Sequence, residues 1–317
     1  MNEIEILCNT LSYSLKKHFC KNYNIPIKIF YEPYFSERCI LFDEYFGIEE
    51  KLKEYVADVL LYDNEQDFFA EDNGIMQSII DYLKGNPDMV FFSKKEDMNI
   101  FAVPERYRNL PSKDVWRDSC VGKTFMSIDL KKANFQALRH YSDKIFDDSD
   151  TWEDFIGKFT DMQSKINSKH LRQVIFGSVN PKRQITYEKY LMCKILDEIC
   201  MEFSFDNIYS LSNDEIIINA ENIFVSQITH IRNQIKSLGF NCHINVFSVA
   251  KLGKDMYEQM FIEEISDDSR IKFKKVNHLM MPFVIRKING EEPTESDYVF
   301  INESGNLCRF LENPLTR

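Results

Sequence analysis

The order of secondary-structure elements predicted from residue 124 onward constrains the fold of this chain more than any other feature. The apolar run Thr124–Leu130 predicts a buried strand, and residues 131–142 have the apolar spacing of a helix. Residues 208–219 then predict a β-hairpin, in which two apolar strands are joined by the polar tip Asn213-Asp214. A strand, a helix and a hairpin in this order require a sheet with antiparallel neighbours.

The elements around the hairpin extend the same pattern. Residues 151–203 are mostly helical in character, with an interruption at residues 177–181. A helix over residues 223–238 ends at Gly239, a natural helix C-cap, and a strand over residues 241–247 follows. The whole order predicts an α+β fold in which helices back one face of an antiparallel sheet.

The N-terminal part mixes predicted helices with a short extended segment. Ile4, Leu7, Leu11 and Leu15 have helical spacing, residues 51–61 form an amphipathic helix, and residues 24–31 predict a strand. Two prolines flank a basic patch at residues 103–111, where we expect a boundary. The resulting expectation is an N-terminal region over residues 1–110, a central region over residues 111–255 and a small C-terminal region over residues 256–317.

Charge and composition exclude several classes of protein. The chain has 50 acidic and 39 basic residues, a net charge of −11, which argues against a general nucleic-acid coat but not against a local basic groove. Only 10 glycines are present, so a glycine-rich nucleotide-binding loop is disfavoured. The scattered cysteines, the absence of a long apolar run and the polar start predict a cytoplasmic protein with reduced thiols and no membrane partner.

Carboxylates follow the predicted strand and form the tip of the hairpin. Asp129 ends the strand, and Asp214 and Glu215 lie at the tip, so an antiparallel sheet would bring them to one edge. Hard oxygen ligands of this kind suit two Mg²⁺ ions, or Mn²⁺, which clamp the attacking and leaving oxygens in phosphoryl transfer. The alternative is structural: Asp129 would cap the next helix and Asp214 would make the turn.

Basic residues lie between these two acidic sites. Lys169 and Arg172 are three residues apart on one helix face, where they could hold a triphosphate, and Lys182 and Arg183 follow shortly after. The alternative is a solvated helix face. Residues 270–275 alternate basic and apolar side chains, which predicts a strand with one cationic face.

That strand would carry Lys272 and Lys274 along a nucleic-acid backbone. A solvated edge strand guarded by lysine is the equally weighted alternative. The same alternation therefore leaves both interpretations open.

Three segments resemble the family A DNA polymerases. Residues 127–142, with Asp129 leading directly into a helix that ends in Leu-x-His-x-Ser, resemble motif A. Arg172-x-x-x-Phe176-Gly177 resembles motif B, and Asn213-Asp214-Glu215 resembles motif C, in the same order.

The resemblance implies a role for each matched residue. Asp129 and Asp214 would hold two metal ions, Glu215 would be an auxiliary acid, and Arg172 would contact the triphosphate. Phe176 would lie over the incoming base, and Asn134 occupies the position that screens the sugar 2′ group.

The departures from that family point to a second resemblance. Asn213 replaces a histidine, Arg172 replaces a lysine, and the short spacing from Arg172 to Asp214 leaves out the finger insertion. Asp129-Leu130-Lys131-x-Ala133 is similar to a motif of many reverse transcriptases, as are the helix and strand over residues 228–253 and their Lys-Leu-Gly. The Tyr-x-Asp-Asp signature of that family is absent. Both resemblances imply the same right-hand palm, with small fingers before it and a thumb or accessory region after it.

The expected function is extension of a nucleic-acid 3′-hydroxyl with nucleoside triphosphates. The expected partners are a primer and template, nucleotides, and an accessory protein or bound RNA that adds grip to an acidic chain. A compact reverse transcriptase of phage, plasmid or antiphage-defence type is one alternative. A catalytically inert palm that binds nucleic acid or protein is another.

Overall fold

A computed structural model describes residues 2–94, 99–221, 223–262, 266–267 and 271–316. Helices fill the N-terminal part, where they are α1 Glu3–Asn9, α2 Tyr13–Asn22, α3 Tyr34–Phe46, α4 Ile48–Val59, α5 Glu65–Gly85 and α6 Pro87–Lys94. The later helices are α7 Ala133–Tyr141, α8 Trp152–Ile156, α9 Gln163–Ile166, α10 Lys169–Gly177, α11 Pro181–Ile199, α12 Val225–Ser237 and α13 Met281–Asn289. Among all the described residues, no helix has both the length and the apolar character needed to cross a bilayer.

The strands form one large and one small antiparallel sheet. They are β1 Thr124–Leu130, β2 Ile208–Leu211, β3 Glu215–Asn219, β4 Cys242–Gly253, β5 Met256–Phe261, β6 Lys272–Lys274, β7 Val299–Ile301 and β8 Leu307–Arg309. The large sheet has the order β2-β3-β1-β4-β5-β6, and β7 pairs with β8. The prediction of an α+β chain with an antiparallel sheet is therefore confirmed.

Alternation along β1 separates the two faces of the large sheet. Met126, Ile128 and Leu130 are buried in the main core together with apolar residues of α7, α11 and α12. Because successive strand residues point to opposite faces, Ser127 and Asp129 lie on the other face. One face of the sheet thus carries the main core, and the other carries a smaller apolar cluster around Phe125 and Phe247 together with the polar side chains of Ser127 and Asp129.

Two N-terminal predictions are corrected by the structure. Residues 24–31 are not a strand: Ile25, Ile27 and Ile29 alternate and are buried, and Ile25 and Ile27 belong to the main core, but no strand among the described residues pairs with them. The apolar spacing from Ile4 to Leu15 belongs to two helices, because Ser12 accepts a hydrogen bond from the Leu15 amide and starts α2. Apolar periodicity alone does not show either the missing partner strand or the break.

The N-terminal helices contact the C-terminal region directly. α3 packs against α13, and Arg38 of α3 forms a buried salt bridge of 2.5 Å with Asp297. The Tyr45 hydroxyl donates a hydrogen bond of 2.6 Å to Asn289 Oδ1, and the Tyr45 and Phe273 rings lie 5.3 Å apart. These contacts hold α3 against the C-terminal region, although the two segments are far apart in sequence.

Candidate active site

The sheet register brings the predicted carboxylates together. Asp129 on β1 lies directly opposite Glu215 on β3 and His243 on β4. The Leu130 amide donates a hydrogen bond of 2.9 Å to the carbonyl oxygen of Asp214, which fixes the hairpin tip beside the end of β1. The predicted proximity of Asp129 to Asp214 and Glu215 is therefore present in the structure.

The structural alternative does not match the local geometry of Asp129, whereas Asp214 does take part in the hairpin turn. The residue that precedes α7 is Lys132, in a left-handed conformation, and it makes no side-chain cap, so Asp129 does not cap the helix. The hairpin turn is held by Ser212, whose hydroxyl accepts from the Glu215 amide at 2.9 Å and donates to Asp214 at 3.2 Å. Asp214 itself is exposed. Its carboxylate therefore accepts a hydrogen bond within the turn and is also open to a ligand.

A polar cavity of about 290 Å³ lies over this face of the sheet. Asp129, Glu215 and Ser127 form part of its floor, and Lys272 and Lys274 from β6 form part of its wall. The Ser127 hydroxyl donates a hydrogen bond to Glu215 Oε1. The cavity therefore places anionic and cationic groups in one small space.

The carboxylates in this cavity resist ionisation. Burial raises the pKa of Asp129 to about 7, and the negative charges of Glu215 and Asp214 add to the effect, while Lys272 and Lys169 oppose it. Burial also raises the pKa of Glu215, against the hydrogen bond from Ser127 and the charge of Lys274. A cation placed between these groups would relieve their repulsion.

The donor chemistry of the cavity suits a hard divalent cation, since carboxylate oxygens are the ligands that Mg²⁺ and Mn²⁺ prefer. Within the described ranges, no three acidic, histidine or cysteine side chains are gathered closely enough to form a complete metal site. Asp129, which lines the cavity, and Asp214, on the hairpin tip beside the end of β1, are the residues that would hold such an ion, with water and substrate oxygens supplying the remaining ligands.

Lysines from two distant segments approach the carboxylates. Lys274 is half-buried, and burial lowers its pKa, with Glu215 and Asp129 opposing the shift. Lys169, at the start of α10, is exposed, and its positive charge lowers the pKa of both Asp129 and Lys274. Lys169, Lys272 and Lys274 were predicted as contacts for nucleotide or nucleic acid; Lys272 and Lys274 line the cavity with Asp129 and Glu215, whereas Lys169 lies outside its lining.

Other predicted residues lie away from the cavity. Phe176 is 2% exposed and packs against Trp152, with ring centroids 5.2 Å apart. This burial corrects the expectation that its ring covers an incoming base, because its place is in the core. Arg172 is half-buried, burial lowers its pKa, and the carboxylate that opposes this shift is Glu153. It is not among the residues that line the cavity.

The basic residues at the start of α11 also lie outside the cavity. Lys182 is exposed, and the Arg183 guanidinium lies 5.5 Å from the centre of the Phe92 ring. Burial lowers the pKa of Arg183. Their predicted contact with nucleic acid remains a prediction.

Glu188 is a candidate residue that the sequence analysis missed. It is 4% exposed on α11, and its Oε1 accepts a hydrogen bond of 3.3 Å from Asn134 Nδ2. Burial raises the pKa of Glu188 to about 7, and the charge of Asp214 adds to this shift. The available signal was its position on the apolar face of α11, between Gln184 and Leu191, where an acidic residue is unexpected.

Comparison of the chain with protein-family models, with curated proteins and with solved structures finds no match in any of the three. The functional argument consequently depends on the geometry and chemistry of the cavity.

Proposed function

We propose that this chain is a nucleic-acid polymerase that extends a 3′-hydroxyl with nucleoside triphosphates. The observation that carries the proposal is the alignment of Asp129 with Glu215 across adjacent strands, with Asp214 at the same end of the sheet. In this interpretation the large sheet is a right-hand palm, which includes β5 and β6 beyond residue 255. The helices before β1 are the fingers, and the region after β6 is a small thumb.

The residues of the cavity suit the two halves of phosphoryl transfer. Two Mg²⁺ or Mn²⁺ ions, when bound, would supply charge neutralisation at the attacking and leaving oxygens. Asp129 and Asp214 would hold them, and Glu215, fixed by Ser127, would add negative charge without needing to be a direct ligand. Lys169 and the β6 lysines would attract and orient the triphosphate, since a fixed cation stabilises phosphate charge in a water-poor site.

Asn134 and Glu188 support this arrangement from the adjacent helices. Their hydrogen bond joins α7 to α11 beside Asp214 and holds the side of the site nearest the expected sugar. We assign Glu188 as a positioning residue because it acts through Asn134 and the charge of Asp214.

One variant of this proposal is a reverse transcriptase, which would copy an RNA template. The observation that favours it is the compact connection between α10 and the hairpin, where α11 is followed by β2 after a short link over residues 200–207. A large finger insertion, as in family A polymerases, has no place in this connection.

Primer extension tests the proposal. Purified protein is incubated with Mg²⁺ or Mn²⁺, labelled dNTPs or NTPs, and a primer on a DNA or an RNA template. We expect incorporation by the wild type and a loss of at least about 100-fold in Asp129→Asn and Asp214→Asn, because each variant lacks a charge needed to hold the metal ions. Asp206→Asn is the matched control, since Asp206 is exposed like Asp214 but precedes β2, at the opposite end of that strand from the hairpin tip.

The outcomes separate the candidate functions. Incorporation that persists in both Asp129→Asn and Asp214→Asn contradicts the assignment of the site. Absence of incorporation by the wild type on every template, combined with retained nucleic-acid binding, favours the inert binding module. Preference for an RNA template supports the reverse-transcriptase variant.

A further inference from the structure

A groove rich in lysine runs from the carboxylate cavity to the N-terminal helices. Its volume is about 930 Å³, and it shares Lys272 and Lys274 with the cavity. We call it the lysine groove, and its lysines are Lys17, Lys21, Lys28, Lys51, Lys169, Lys272 and Lys274. Among the described residues that line it, none is aspartate or glutamate. A surface of this kind attracts a polyanion.

Several of these lysines are available to a ligand. Lys17, Lys21, Lys28 and Lys169 are exposed, and within the described part of the chain no carboxylate lies within salt-bridge distance of them. By contrast, Lys16, next to Lys17 in sequence, is buried and forms a salt bridge of 2.9 Å with Glu32. Exposed cations without carboxylate partners would gain the most from phosphate groups.

Aromatic side chains are interleaved with the lysines. Tyr23, Phe30, Tyr45, Phe46 and Phe273 also line the groove. Basic residues that follow a phosphate backbone, combined with rings on which bases stack, are the usual elements of a single-strand binding site. This combination distinguishes nucleic acid from a simple inorganic polyanion.

The walls of the groove are joined to one another, which limits the width of a ligand. The N-terminal wall includes Tyr45 and the C-terminal wall includes Phe273, and their rings lie 5.3 Å apart. Arg38 and Asp297 form the buried salt bridge that holds the same two regions together. A volume of about 930 Å³ between joined walls fits a short length of one strand and not a double helix.

We propose that the lysine groove binds single-stranded nucleic acid, with phosphates on its lysines and bases on its aromatic rings. Binding itself does not require catalysis. Only the delivery of the strand to Asp129 and Asp214 rests on the proposed function.

The salt dependence of binding gives the expected magnitude. Each phosphate contact to a single strand contributes a slope of about −0.7 in the logarithm of affinity against the logarithm of salt concentration. Removing three contacts in Lys17→Ala/Lys21→Ala/Lys28→Ala should reduce the slope by about 2, which is about 100-fold in affinity at roughly 0.1 M salt. The control is Lys84→Ala/Lys144→Ala/Lys236→Ala, three exposed lysines outside the groove.

Fluorescence anisotropy tests the proposal with labelled oligodeoxythymidine and oligouridine of about 15 nucleotides, near the upper end of single-strand site sizes. The same length as a duplex is the competitor. The assay uses the full chain with Asp129→Asn, so that no extension changes the probe, and repeats the wild type without metal ions. We expect single strands to bind at least about tenfold more tightly than the duplex, because only one strand fits between the joined walls.

Equal loss of affinity in the groove triple variant and the control triple variant would overturn the proposal, as would equal affinity for duplex. Absence of single-strand binding at low salt would overturn it as well. Binding with the expected slope, but no incorporation by the wild type, would contradict the polymerase function and leave the groove assignment standing.

Discussion

Arg38→Met tests the contact that joins the N-terminal helices to the C-terminal region. Arg38 is 5% exposed and Asp297 is 1% exposed, and their salt bridge measures 2.5 Å. A second Arg38 N–H donates to the Ser296 carbonyl oxygen. Methionine preserves most of the volume of the arginine stem but removes the charge and both hydrogen bonds.

Several remaining contacts set the size of the expected loss. Removing one partner of a buried ion pair costs about 3 to 5 kcal/mol, because the other charge stays buried. Asp297 keeps a hydrogen bond of 3.1 Å from Arg286 Nε and one of 2.7 Å from the Thr294 amide. Since these partners still compensate its charge, we expect the lower end of that range, about 3 kcal/mol.

Urea unfolding measures this loss as a fall in the free energy of unfolding. With a slope of about 3 kcal/mol per molar, the midpoint should fall by about 1 M. Arg309→Met is the matched control, because Arg309 pairs with Glu295 at 2.6 Å and both side chains are more than half exposed. An exposed pair of this kind contributes at most about 1 kcal/mol. Equal midpoints for the two variants would refute the argument that the Arg38 contact holds the regions together.

Three further predictions concern the site. Because the folded Glu188 carboxyl keeps its proton up to about pH 7 while the unfolded one ionises near 4.5, stability should fall by up to about 3 kcal/mol as pH rises through this window. Glu188→Gln should remove the part of this fall that Glu188 causes, whereas the part caused by Asp129, whose pKa is also raised to about 7, should remain. An unchanged pH dependence of the free energy of unfolding in the variant, measured by urea unfolding from pH 4.5 to 8, would contradict the assignment. Mg²⁺ at about 100 times its dissociation constant should stabilise the wild type by about 2.7 kcal/mol, and thermal unfolding should show no such gain in Asp129→Asn. Phe176→Leu should cost about 1 to 2 kcal/mol of stability in urea unfolding and leave the nucleotide KM unchanged, whereas a raised KM would return its ring to the nucleotide site.

The strands around the site were predictable because their signals are local. β1 is an apolar run of seven residues, and the hairpin has a polar tip between apolar strands. Once β1 and β3 pair as antiparallel neighbours, the register of their ends brings Asp129 opposite Glu215. The sequence therefore contained the main geometry of the carboxylates.

Residues whose role depends on tertiary packing were not predictable in this way. The motif resemblance assigned Phe176 by its position on α10, but its neighbour Trp152 comes from a different helix. Glu188 acquires its environment from Asn134 and Asp214, which lie on other elements. The spacing of residues along one helix shows neither that the Phe176 ring is buried against Trp152 nor that the Glu188 carboxyl is removed from water.

The lysine groove shows the same limit over a longer distance in sequence. Its walls come from residues 17–51 and from residues 271–281, and Lys169 belongs to α10 between them. The sequence predicted a cationic face for β6 but did not indicate which other lysines lie beside it in the fold. Three-dimensional structure brings these lysines into one surface.

The groove also changes the meaning of the net charge of −11. A polyanion approaching this chain is repelled by an acidic surface in general, yet it meets seven lysines and no described carboxylate along the groove. Field lines concentrate where one sign of charge lines a cleft, so the acidic remainder of the surface increases the contrast between the groove and its surroundings. An excess of acidic residues therefore favours binding at one place over binding along the whole surface. For the same reason, added salt should weaken binding in the groove while also reducing repulsion elsewhere, and the preference for the groove should be greatest at low salt.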